Sequence, residues 1–248
     1  KFPRLSITLD ENQGLRLNRE SFVFLRECFY SNNIPVLCNF IKILKMKKSI
    51  ILLFLCAPFI GFAQKGTKEL TILYTNDFHS AFDPIPAYWL KGSPKLGGAA
   101  ELTTMINKIR VEEKNTFLFD AGDMFTGMLS NVSEGEILME MMMSMKYDAM
   151  GIGNHEFDWG IDVVTNYFDG IEENGEANFP LIGANIFYKD TTTRPENIDP
   201  YVIIERGDIK IGIIGTIGAG LEYSIATSKI EDFEFASPIQ IIKDITYD

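Results

Sequence analysis

Three short apolar runs in this chain each break off into a polar turn carrying acids, amides or histidine. Residues 69–75 run into Asp77-Phe78-His79, residues 116–119 into Asp120-Ala121-Gly122-Asp123, and residues 149–153 into Asn154-His155-Glu156. Between the first two runs, residues 98–113 place Leu102, Met105, Ile106 and Ile109 at helical spacing. Between the second and third, residues 134–145 form a Met-rich helical stretch. Strands alternating with helices fold as a sheet with helices on its faces, so the fold class is mixed α/β. Oxygen and imidazole donors leaving several strand ends can then meet on one rim, which is what a pair of divalent metals needs.

The rest of the chain continues the alternation. Residues 162–173 read as a helix and 180–184 as a strand, and the polar stretch 188–200 reads as loop. Runs at 201–206 and 209–216 flank Gly207-Asp208, a hairpin signal. Residues 237–244 can start a helix capped by Ser237. Met139, Met141, Met142, Met143 and Met145 suit core filling better than soft-metal binding, because methionine packs adaptably at helical spacing. Tyr88 and Trp89 follow the first turn and either border a substrate cleft or pack on the surface.

Charge narrows the function classes. The formal net charge is −11, against binding of a nucleic-acid polymer, which needs a basic face to follow phosphates. An acidic chain can still act on phosphate esters, because bound metals supply local positive charge. The 46% hydrophobic content suffices for a packed core.

The first 63 residues read differently from the rest. Met46, Lys47 and Lys48 open a basic segment, residues 49–60 are apolar, and Gly61-Phe62-Ala63 offers small residues before Gln64. This is the pattern of a cleaved export signal, so residues 46–63 are expected to be a signal peptide. The apolar run falls short of the ~20 residues of a membrane span, so no stable span is expected after cleavage. An uncleaved N-terminal anchor is the alternative. Residues 1–45 form an upstream extension with no identifiable chemistry, and residues 64–248 carry the domain. Cys28, Cys38 and Cys56 all precede Gln64, so the expected mature part has no disulfide to form. The expected location is periplasmic or extracellular.

Asp77 and His79 are two apart after a strand, and in an extended backbone both side chains face one way. Alone, such a pair is more often a loop-capping carboxylate beside a surface histidine. Asp120 and Asp123 are three apart, and either carboxylate could serve the same rim.

The segments 73–79, 97–102, 119–127, 147–158, 180–185 and 210–215 resemble, in order, the metallophosphoesterase superfamily. More narrowly they resemble the 5'-nucleotidase / UDP-sugar hydrolase family of exported phosphatases. The resemblance spans residues 69–218. It implies a four-layer αββα sandwich and two divalent ions, zinc or manganese suiting the donor set. It implies Asp77 and His79 on one metal, Asp123 rather than Asp120 as the bridging carboxylate, and Asn154 on the second metal. Asp120 would then satisfy amides in its turn, and Glu156 would brace the loop. His155 would steady the phosphoryl oxygens or leaving group, with Asp158 holding its other ring nitrogen. The implied reaction is hydrolysis of nucleotides or related phosphate esters by a metal-bridged hydroxide.

The family completes its site with histidines from later strands, whereas this chain has two, His79 and His155. The expectation is the N-terminal part of such a catalytic domain. Its rival is a truncated, inactive relative that binds metal or ligand without turnover.

Overall fold

The computed structural model describes residues 4–10, 14–17, 68–171 and 175–247. Strands β1 (Arg4–Asp10) and β2 (Gly14–Leu17) precede β3 (Lys68–Thr75). The loop after β3 holds a small pair, β4 (Ile85–Pro86) with β5 (Lys95–Leu96). Then come α1 (Ala99–Glu112), β6 (Thr116–Asp120), α2 (Met128–Ser133), α3 (Glu136–Met145) and β7 (Ala149–Gly151). Helix α4 (Ile161–Thr165) leads to β8 (Leu181–Ile182) and β9 (Ile186–Tyr188). The hairpin β10 (Tyr201–Arg206) and β11 (Ile209–Ile214) follows, then α5 (Thr227–Ile230), β12 (Phe233–Phe235) and α6 (Pro238–Tyr247).

The main sheet has the order β2-β1-β3-β6-β7-β8. From β3 to β8 its strands run parallel, while β1 lies antiparallel along the outer edge of β3. Part of the upstream extension is therefore strand. The signal segment 46–63 lies outside the described residues.

Period-two alternation explains why the strands read as continuous apolar runs. Leu73 of β3 and Leu118 of β6 join a core with Leu102, Ile106 and Ile109 of α1 and Leu138 and Met142 of α3. Leu70 and Phe117 point to the opposite face, where Ile204, Ile209 and Ile211 of the hairpin pack with Ile72 and Phe119. Burying a side chain such as Phe117 contributes about 2–3 kcal/mol. Among the described residues the layers are thus helices, parallel sheet and hairpin, the order expected at the start of an αββα sandwich. Met139, Met141, Met142 and Met145 are buried, so the methionines fill core as expected.

Two elements differ from expectation. The helix read over 134–145 begins only at Glu136, because Glu134 and Gly135 take left-handed φ angles of 50° and 94°. The helix read over 162–173 lasts five residues before passing into a 3-10 turn at Asn166–Phe168. Ile161, Val163, Val164 and Thr165 are β-branched, and their restricted χ1 disfavours a longer helix. Among the described residues, no helix is long and apolar enough to cross a membrane.

A candidate metal centre at the carboxyl ends of the strands

Parallel strands place their carboxyl ends on one rim, and ligands in such sheets bind there. The turns after β3, β6 and β7 leave from that rim, and backbone hydrogen bonds extend the pairing beyond the strands. The Asp77 amide donates to the Gly122 carbonyl at 3.0 Å, and the His79 amide to the Asp123 carbonyl at 3.4 Å.

One ligand atom each from Asp77, His79 and Asp123 lie within 4.8 Å of one another. Two carboxylates and an imidazole make a mixed oxygen–nitrogen donor set that suits zinc or manganese. His79 Nε2 lies 3.6 Å from Asp77 Oδ1. The convergence is as expected, but the backbone is not extended. Asp77, His79 and Ser80 all have positive φ, at 53°, 49° and 56°, and Asp123 joins them at 62°. Left-handed non-glycine residues cost strain, and four of them gathered on one rim mark a constrained turn.

Two glycines make that constraint possible. Gly122 has φ of 100°, and a Cβ there would collide with the backbone of Gly153. A Cβ on Gly153 would lie 2.7 Å from Asp123 Cγ. The second and third turns therefore interlock only without side chains, and the Asp123 carboxylate lies directly over Gly153. The His155 amide donates to Asp123 Oδ1 at 2.9 Å, leaving Oδ2 for the rim.

The two competing carboxylates separate cleanly. Asp120 is buried and turned inward, accepting from the Gly122 amide at 2.8 Å and the Thr75 hydroxyl at 2.6 Å. Burial raises its pKa well above the usual carboxylate range. Asp123 is the one that meets Asp77 and His79.

Glu156 is wholly interior. Its carboxylate accepts from the amides of Gly153 at 2.7 Å, Met124 at 2.8 Å, Asp123 at 2.9 Å and Phe125 at 3.2 Å. Burial pushes its pKa up against the pull of those four donors. The expected bracing is thus a knot between the second and third turns.

His155 and Asp158 flank a 3-10 turn, His155–Phe157. His155 Nδ1 is 2.9 Å from Asp158 Oδ2, and the His155 ring meets the His79 ring edge to face at 4.7 Å. Burial lowers the His155 pKa, but the hydrogen bond and charge of Asp158, then the charges of Asp123 and Glu156, outweigh it and raise it above 6.5. Asn154 immediately precedes this turn and is half-buried. Tyr88 and Trp89 are 79% and 71% exposed, so neither is tucked into surface packing.

A buried chain behind the rim was not anticipated. Thr75 Oγ1 donates to Asp120 Oδ2, so the Tyr147 hydroxyl, 2.8 Å away, must donate to Thr75. Burial pushes the Tyr147 phenol well above its ordinary value. The sequence signal was a tyrosine and an aspartate inside apolar stretches, where each needs a partner.

Comparison with known proteins identifies relatives of the chain. The family model for calcineurin-like phosphoesterases matches residues 70–239. Snake venom 5'-nucleotidase of Naja atra is 39% identical over 157 residues, covering 60% of this chain and 28% of that protein. The 5'-nucleotidase of Homo sapiens is 37% identical over 158 residues, again 60% of this chain, and 26% of that protein. The crystal structure of a 5'-nucleotidase precursor from Thermus thermophilus superposes with TM-score 0.62 and 27% identity, covering 72% of this chain and 34% of that one. The NAD nucleotidase of Haemophilus influenzae gives TM-score 0.59 and 26% identity over 72% and 31%. The chain thus spans about a third or less of the length of these relatives.

Proposed function

Since the chain belongs to the calcineurin-like phosphoesterase family, we propose that it supplies the first metal-binding turns of a phosphoric ester hydrolase acting on nucleotides. The observation that carries this reading is the meeting of Asp77, His79 and Asp123 within 4.8 Å, with the His155–Asp158 pair beside them. Asp77, His79 and Asp123 would hold one divalent ion, and Asp123 with Asn154 would reach a second, zinc or manganese fitting both. When bound, the ions supply a nucleophilic oxygen near neutral pH and positive charge against the phosphoryl group.

The chain's own residues do the rest. Asp158 occupies Nδ1 of His155, which leaves Nε2 as the ring nitrogen facing substrate. The hydrogen bond and charge of Asp158 favour the protonated ring, in which that nitrogen can donate to a phosphoryl or leaving-group oxygen as charge develops. Glu156 fixes the amides of Asp123 and Gly153, which holds the bridging carboxylate and the histidine turn in register. Nucleoside monophosphates, UDP-sugars and cyclic nucleotides are the candidate substrates.

Export belongs to the same proposal. Residues 46–63 carry the signal pattern, with residues 1–45 as its upstream extension, and the destination is the periplasm or the outside of the cell. Cleavage after Ala63 would remove β1 and β2 and leave the β3 edge open to another strand.

A second reading is a relative that binds metal without turnover. It is favoured by the site having one cluster of three donors of this kind among the described residues. Phosphate release from AMP with added manganese separates the two in the protein carrying this chain. Turnover that falls by several powers of ten in His155→Ala, with metal content unchanged, supports the hydrolase. No release from AMP or any other nucleotide by the unsubstituted protein would overturn it.

A further inference from the structure

The opposite rim of the sheet holds a cleft of different charge. A cleft of about 440 Å³ opens at the amino ends of β6 and β7, bounded by Thr116 and by Tyr147-Asp148. Arg110, Lys114, Lys146 and Arg206 converge on it, against two acids, Glu113 and Asp148. In a chain whose acids exceed its bases by 11, four cations in one cleft is a concentrated reversal of sign.

Structural duties account for only part of this cluster. Arg110 donates to the carbonyls of Met145 at 2.6 Å and Lys146 at 2.7 Å, closing the end of α3. Arg206 lies 4.5 Å over the Phe117 ring and donates to the Thr116 carbonyl and to Asp148. Asp148 is itself committed, because it also accepts the Leu118 amide at 2.8 Å. Each guanidinium has five N–H donors, and these contacts use two of each. The ammonium groups of Lys114 and Lys146 have no hydrogen-bond or ion-pair partner among the described residues. Burial lowers the Arg110 pKa, and the charge of Arg206 pushes the same way while Asp148 opposes it. The cleft is therefore positive, partly desolvated, and stocked with donors that no acceptor among the described residues takes.

We infer that this cleft is an anion site, distinct from the metal rim, that takes a dianionic phosphate group, free or borne on a small ester. Among the described residues its four cations exceed its two acids by two, a balance that suits such a group. Its volume lies within the ~300–1,000 Å³ usual for small-ligand sites. Planar guanidiniums beside flexible ammoniums are the usual equipment for phosphate. Its lining residues are all charged or polar and include no aliphatic side chain, so the phosphate is the part of a ligand that it recognises.

The test titrates inorganic phosphate into the chelator-treated full chain at constant ionic strength, followed by calorimetry and by the NMR shift of the Asn178 side-chain amide in the cleft wall. One phosphate per chain is expected, weakened at least tenfold in Lys114→Gln/Lys146→Gln and unchanged in Asp77→Asn. The lysines are exposed, so the double variant should fold. A parallel titration with AMP assigns the source: equal lysine dependence means an ester-borne phosphate fits, and no binding means the free anion alone does. Absence of saturable binding, loss with Asp77→Asn but not with the lysine pair, or equal competition by chloride would each overturn the proposal.

Discussion

The Asp123 carboxylate lies across Gly153, so closely that a Cβ on Gly153 would stand 2.7 Å from Asp123 Cγ. No positive φ is involved at Gly153; the requirement is space alone. Gly153→Ala is therefore expected to push the Asp123 carboxylate off the rim while leaving the sheet intact. Zinc affinity measured by competition with a chelating dye should fall about 10- to 100-fold, the usual effect of disturbing a ligand's support. Unchanged affinity would mean that Asp123 does not set the metal position.

Glu156 supports the same turns from beneath through four backbone amides. In Glu156→Gln one oxygen becomes an NH2 group facing amide donors, which leaves at least one of them without an acceptor. A loss of about 3 kcal/mol is expected in urea unfolding, given the worth of bonds to a buried charged group. A loss under about 1 kcal/mol would show that the loops hold without the knot.

Thr75 joins Asp120 to Tyr147, and Thr75→Val removes the middle of that chain without changing volume much. Both end groups are buried and each loses a partner, so about 2 kcal/mol of stability should go. A double variant with Tyr147→Phe should recover part of it, because the orphaned hydroxyl is then gone. Strict additivity of the two substitutions would contradict the coupling.

Asp120 carries a pH signature. Its folded pKa is raised well above 3.8 by burial, so the folded state holds the proton more tightly than the unfolded chain. That contribution is complete below the unfolded pKa and is lost as pH rises through the folded one. Asn can accept from the Gly122 amide and donate to the Thr75 oxygen, so Asp120→Asn removes the charge and keeps both contacts, the second with its direction reversed. The stability of the Asn variant relative to the parent should therefore increase from pH 4 upward, by at most about 1.4 kcal/mol per pH unit. A difference constant between pH 4 and 8 would mean the carboxyl titrates normally.

What was legible in the sequence was what is local. Asp77, His79 and Asp123 each follow an apolar run directly, so the parallel sheet had only one rim on which to gather them. The hairpin announced itself through Gly207-Asp208 between two apolar strands. The Asp120–Thr75–Tyr147 chain was hidden because Asp120 and Tyr147 lie 45 and 72 residues from Thr75, and only packing brings them together. Strand periodicity stops at Thr75 and the turn beyond it is left-handed, which is why an extended backbone over Asp77–His79 does not form. The early end of α4 was written in its β-branched residues, but an apolar helical spacing concealed it.

The central claim is that Asp77, His79 and Asp123 form a divalent-metal site. Its most direct test is the zinc and manganese content of the chain after gel filtration, measured for the unsubstituted protein and for Asp123→Asn. Bound metal is expected in the first and loss of most of it in the second, with the fold retained by circular dichroism. Equal metal in both, or none in the unsubstituted protein at saturating zinc, would contradict it.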